Sequence, residues 1–70
     1  MSWLQGHQQR EDLPAYYVKF LDSHARDPAW HIECITWFED EPDVMVAHYY
    51  DEHKLFIETR TFRIKQPEKE

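Results

Sequence analysis

Residues 30–38 read Trp-His-Ile-Glu-Cys-Ile-Thr-Trp-Phe, residues 39–43 Glu-Asp-Glu-Pro-Asp, and residues 44–50 Val-Met-Val-Ala-His-Tyr-Tyr. β-Branched and aromatic residues dominate both flanks of the acidic connector, and such side chains suit a pleated, half-buried surface. The connector is short. It therefore joins antiparallel neighbours, because a parallel return needs a crossover of a dozen or more residues. After a second short connector, Asp51-Glu52-His53-Lys54, residues 55–64 continue the pattern. Three strands are expected, at residues 30–38, 44–50 and 55–64, arranged as a meander.

Upstream the period changes. Leu13, Tyr17, Phe20, Leu21 and His24 recur at the spacing of one helix face, with Lys19, Asp22, Ser23 and Arg26 mainly opposite. Asp12 is a candidate N-cap, Pro14 suits a first turn, and Asp27-Pro28 is a stop signal, so a helix is expected over residues 13–26. Residues 1–12 read as an arm or opening turn with Trp3 and Leu4 as its large apolar residues, and residues 66–70 as a disordered tail. The expected fold class is α+β. One amphipathic N-terminal helix packs on a three-stranded antiparallel β-meander, in a single domain over residues 13–65.

Placing Phe38 opposite Val44 and Tyr50 opposite Leu55 sorts the side chains into two faces. One gathers Trp30, Ile32, Cys34, Phe38, Val44, Val46, Tyr50, Leu55 and Ile57, which is expected to be the core under the helix. The other carries Ile35, Trp37, Met45, Ala47, Tyr49, Phe56, Phe62 and Ile64, interrupted by His31, Glu33, Glu58 and Arg60. A second apolar face with one helix to share marks an association site. Trp37, Met45, Tyr49 and Phe56 are its expected anchors, with Arg60 as a polar contact. A larger protein or a second copy is the expected cover, with the N-terminal arm as the alternative.

Seventy residues bound the chain to one small domain, which buries only about 60% of its unfolded surface. Cys34 is the only cysteine, so no internal disulfide stiffens the domain, and a lone thiol fits a reducing compartment. The opening Met-Ser-Trp-Leu-Gln-Gly-His has no basic segment followed by an apolar one, and no run approaches the ~20 apolar residues that span a bilayer. A cytoplasmic protein away from membranes is expected. The net charge of −6 is unevenly placed: no basic residue lies between Arg26 and Lys54, whereas Lys54, Arg60, Arg63, Lys65 and Lys69 make the last third basic. Such a balance disfavours duplex nucleic acid, whose phosphates repel it.

Little in the chain resembles catalytic machinery. The five histidines show no metal-ligand spacing, and there is no Cys-x-x-Cys. His31 and Cys34, three apart on a strand, are expected on opposite faces, while His24 and His48 are expected to project toward the core. Asp51, Glu52 and His53 offer at most a weak cation site in a solvated turn. Cys34 sits mid-strand among apolar neighbours, where burial raises a thiol's pKa and makes it inert. With one glycine, no phosphate-cradling loop can form. The expectation is a protein that is not an enzyme and takes no cofactor or metal.

The acidic connector is first of all a solvated turn. Its carboxylates, Glu39, Asp40, Glu41 and Asp43, are also candidates for meeting a basic partner, imitating a phosphate backbone and gaining on-rate by steering. Residues 41–52, an acidic entry, an apolar strand and then Tyr50-Asp51-Glu52, resemble one strand of the phage inhibitors of uracil-DNA glycosylase. The resemblance spans those residues alone and lacks the helical part of that family's binding element, so it implies nucleic-acid mimicry without membership. The functional expectation is a small acidic interaction module that inhibits or regulates a larger protein, of the kind phages and mobile elements encode. A homodimeric structural or accessory protein is the alternative. A further one is single-stranded nucleic-acid binding, with Trp37, Tyr49 and Phe56 stacking on bases and Arg60, Arg63 and Lys65 at the edge.

Overall fold

Pro14 fixes where the helix starts in the computed structural model, which describes residues 5–64. Its carbonyl accepts from Tyr17 N at 3.0 Å and Val18 N at 3.2 Å, opening helix α1 at Ala15–Ser23. Asp12 is not the cap: it closes a 3₁₀ turn at Arg10–Asp12. The helix also ends before Asp27-Pro28, because Ser23 Oγ donates to the Phe20 carbonyl at 2.8 Å and the His24 ring nitrogen lies 2.8 Å from the same oxygen. Side chains that occupy the last carbonyls compete with another helical turn.

The sheet has four strands rather than three: β1 Gln5–Gln9, β2 His31–Phe38, β3 Glu41–Tyr50 and β4 Phe56–Phe62, antiparallel throughout in the order β1-β2-β3-β4. The first strand comes from the segment expected to be an arm, and it extends the sheet edge instead of covering a face. The expected anchors Trp3 and Leu4 and the expected tail lie outside the described residues.

The two faces are exchanged relative to the expectation. Ladder irregularities fall between Ile32 and Cys34, between Trp37 and Phe38, and between Tyr49 and Tyr50. The first leaves Glu33 as an extra residue, so Ile32 and Ile35 share a face although they are three apart. That face packs under the helix: Ile32, Ile35, Met45, Ala47 and Tyr49 are fully buried with Leu21, and Leu13 and Tyr17 complete the core. Cys34, Phe38, Val46 and Tyr50, expected in the core, are half-buried on the other face, and Leu55 and Ile57 are exposed. His24 is exposed, and His48 lies on the face away from the helix as the register partner of Cys34.

Polar groups set this choice. Asp22 Oδ1 accepts from Ile32 N at 3.0 Å, and Arg10 donates to both Asp22 oxygens, at 3.2 and 2.9 Å, and to the Ile32 carbonyl at 2.8 Å. This clamp ties the 3₁₀ turn and the helix to the start of β2. The Tyr49 hydroxyl reaches the Leu21 carbonyl at the helix end. With this face inward, the buried Tyr49 hydroxyl and the half-buried Asp22 and Arg10 side chains all have partners.

Candidate protein-interaction surface

The residues singled out from the sequence separate into two groups. Met45 and Tyr49 are at 0% exposure beneath the helix, and Trp37 is half-buried against the same core, with its ring lying over Gly6. These three are therefore part of the domain's interior, which corrects their assignment to an open face. Arg60 is half-buried: it donates to the His24 carbonyl and its guanidinium lies 5.2 Å from the Phe62 ring centroid. A cation at a helix C-terminus complements the negative end of the dipole. Phe56, 56% exposed, is the one predicted apolar anchor that stays at the surface. Of the three platforms for stacking bases, it alone is exposed to a ligand, Trp37 being half-buried and Tyr49 covered.

Phe56 has neighbours that the alternation of apolar residues placed in the core. Leu55 is 63% exposed and Ile57 36%, giving three consecutive large apolar side chains at the start of β4. Tyr50 packs edge-on to Phe56 with ring centroids 5.6 Å apart, so the ridge has an aromatic base. Its position is held by the preceding loop. The Asp51 carboxylate accepts from Leu55 N at 2.9 Å and His53 N at 2.8 Å, and Lys54 takes a positive φ of 65° to close the turn. The Leu55 and His53 amides hold the Asp51 carboxyl below its ordinary pKa. A sequence signal for this ridge exists: three consecutive apolar residues cannot all point into a single-sided core.

The ridge opens onto a free strand edge, since among the described residues β4 has a neighbour only on the β3 side. At the opposite end of β3 lies the acidic turn, where Glu39, Asp40, Glu41 and Asp43 are all exposed. Asp43 faces Arg63 at 3.8 Å, which links the turn to the end of β4.

Two other places were candidates for chemistry. On the face away from the helix, Thr36 Oγ lies 2.9 Å from His7 Nδ1 and 2.6 Å from His48 Nε2, a histidine–threonine–histidine chain spanning β1, β2 and β3. Burial, and then the neighbouring His7, lower the His48 pKa. Cys34 stands in the next row, its thiol pKa raised by burial and by Glu33. A shallow groove of about 820 Å³ lies between the helix and the start of β2, lined by Arg10, Lys19, His31, Glu33 and Lys54 among others. Four of its charged or ionisable side chains are engaged: Glu33 takes His31 at 2.5 Å and Lys54 at 3.9 Å, and Arg10 is held by Asp22. Among the described residues no three His, Cys, Asp or Glu side chains converge as a metal ion requires. No described helix is long and apolar enough to cross a membrane.

Comparison of the chain with protein-family models, with curated proteins and with solved structures finds no match.

Proposed function

We propose that this chain is a non-enzymatic protein-interaction module, an inhibitor or regulator that acts in the cytoplasm by docking onto another protein. The observation that carries the reading is the exposed ridge Leu55, Phe56 and Ile57 at the start of β4, whose outer edge has no neighbour among the described residues. A small domain that sequesters Met45, Tyr49 and Ile35 completely has the means to bury large apolar side chains, yet leaves these three in water. Full burial of such a side chain is worth ~1.5–3 kcal/mol, and a partner that seats these three gains the part of it that corresponds to their 63%, 56% and 36% exposure. The acidic turn supplies the second element. Four carboxylates at one end of the sheet favour approach to a basic surface and fix orientation, raising the on-rate more than the affinity.

A photo-crosslinking residue at Leu55, introduced into the full chain and activated in cell extract, tests the proposal. Discrete protein adducts are expected, diminished by Phe56→Ser in a chain whose circular dichroism is unchanged. Reversing Glu39, Asp40 and Asp43 to lysine should slow adduct formation and flatten its salt dependence. Absence of any protein adduct from Leu55 would sink the reading.

A further inference from the structure

We infer that the β4 edge is occupied by a second copy of this chain, pairing antiparallel about a two-fold axis through Thr59. This rests on the association reading above and deepens it: a dimer joined along the β4 edges is the unit that presents the ridges to another protein, and the pairing has one register. In a symmetric antiparallel pair of identical strands, the axis stands normal to the sheet and passes through a residue facing its own copy. The register therefore reduces to the choice of that central residue.

Charge makes the choice. Centring on Glu58 sets two carboxylates face to face, and centring on Arg60 sets two guanidinium groups together; like charges directly opposite are destabilising. Centring on Thr59 instead places Glu58 opposite Arg60 twice, once on each side of the axis; Ile57, the extra residue where the β3–β4 ladder shifts, ends the regular stretch. Both charged residues lie on the helix side of the sheet, opposite Tyr49 and Ala47 of β3, so the cross-strand pairs share a face. Charged residues on an edge ordinarily repel another strand. Here their order along β4 forbids the neighbouring registers and favours one.

Glu58 Oε2 is buried, accepts no hydrogen bond and is ion-paired with the exposed Arg26 at 3.4 Å, so the pairing exchanges that partner for Arg60 of the other copy. Arg60 uses one of its donors on the His24 carbonyl, and a guanidinium carries five. Thr59 and Thr61 are exposed and uncharged on the opposite face. The acidic turn lies away from the axis, so the joined edges avoid most of the −6 charge each copy carries. The same pairing brings each ridge toward the Phe62 end of the other copy's strand.

Sedimentation equilibrium of the purified chain, with cysteine cross-linking in a Cys34→Ser background, tests the pairing. A mass of twice 8.7 kDa is expected. Thr59→Cys should oxidise to a disulfide-linked dimer, since directly opposed residues meet the Cα spacing of a disulfide. Ile57→Cys alone should not, because its copies stand about 13 Å apart along the strand. Glu58→Arg or Arg60→Glu alone should weaken the dimer about tenfold, and the double exchange should restore it. Circular dichroism establishes that each variant is folded.

A chain at monomer mass up to ~1 mM overturns the pairing. So does a dimer that links as readily through Ile57→Cys alone as through Thr59→Cys. A monomeric chain that still forms an adduct with a different protein from Leu55 overturns the self-pairing and leaves the association reading standing. A monomer that forms no adduct overturns both.

Discussion

The hydroxyl of Tyr49 donates to the backbone carbonyl of Leu21 at 2.6 Å, and both residues are at 0% exposure. This bond joins the middle of the sheet to the last turn of the only α-helix among the described residues, in a core that has few other polar groups. Burial pushes the Tyr49 phenol up to about 12, so it remains a protonated donor at any physiological pH.

Tyr49→Phe keeps the ring and removes the donor, leaving the Leu21 carbonyl with the His24 amide at 3.2 Å as its remaining partner. The expected loss is ~0.5–1.5 kcal/mol, read as a lower urea midpoint with an unchanged slope. Stability equal to that of the parent would mean that the His24 amide suffices and the hydroxyl bond is incidental. Tyr49→Ala empties a core site and should cost ~3–5 kcal/mol, enough to unfold a small domain.

The Arg10–Asp22 clamp should show strong non-additivity. Asp22→Ala removes the acceptor for Arg10 and for the Ile32 amide, and Arg10→Ala removes a donor to Asp22 and to the Ile32 carbonyl. Each substitution should cost ~1.5–3 kcal/mol, and the double variant clearly less than the sum, because the second change removes a partner already lost. A double-mutant cycle from urea denaturation measures the coupling. Simple additivity would contradict a shared network.

Gly6 is opposite Trp37, and a Cβ built there would come within 2.1 Å of the indole ring. The ring packs on the bare backbone of β1, so Gly6→Ala must displace Trp37 or peel the edge strand away. A loss of ~1–3 kcal/mol is expected, with faster amide exchange across β1. Unchanged exchange in β1 would show that the ring moves without cost.

Stability should fall as the solution is acidified below neutrality. His48 has a lower pKa folded than unfolded, chiefly through burial. The unfolded chain then takes up the proton first, so stability rises with pH across this range. Its contribution is complete above the ordinary histidine value of ~6.5 and is lost as pH drops through the folded value. The Thr36 hydroxyl, held between His48 and His7, carries the change into β1. Thermal melts between pH ~8 and ~5 should show the decline, and His48→Gln should flatten it. A slope unaffected by that substitution would assign the effect elsewhere.

Elements followed from local chemistry, and their faces did not. β-Branched and aromatic runs with short acidic and polar connectors were sufficient for β2, β3 and β4 as an antiparallel meander, and the spacing of Leu13, Tyr17 and Leu21 for the helix. β1 was not legible, because Gln5-Gly6-His7-Gln8-Gln9 has neither alternation nor β-branched residues; it is a strand only because β2 offers it a ladder and Trp37 a cover. Among the candidate site residues, Phe56 and the acidic turn lie at the surface as expected. Met45, Tyr49 and Trp37 do not.

The amino-acid sequence by itself determined the fold class, the order of the meander and the location of the acid. These depend on residue type and spacing over a few positions. Only the tertiary structure decided which sheet face the helix covers, and with it which side chains are available to a partner. One extra residue at Glu33 reverses the alternation along β2, and on the inward face Tyr49, Asp22 and Arg10 all find hydrogen-bond partners. The position of that bulge follows from how β2 pairs with β3, which the local alternation of residue types does not reveal.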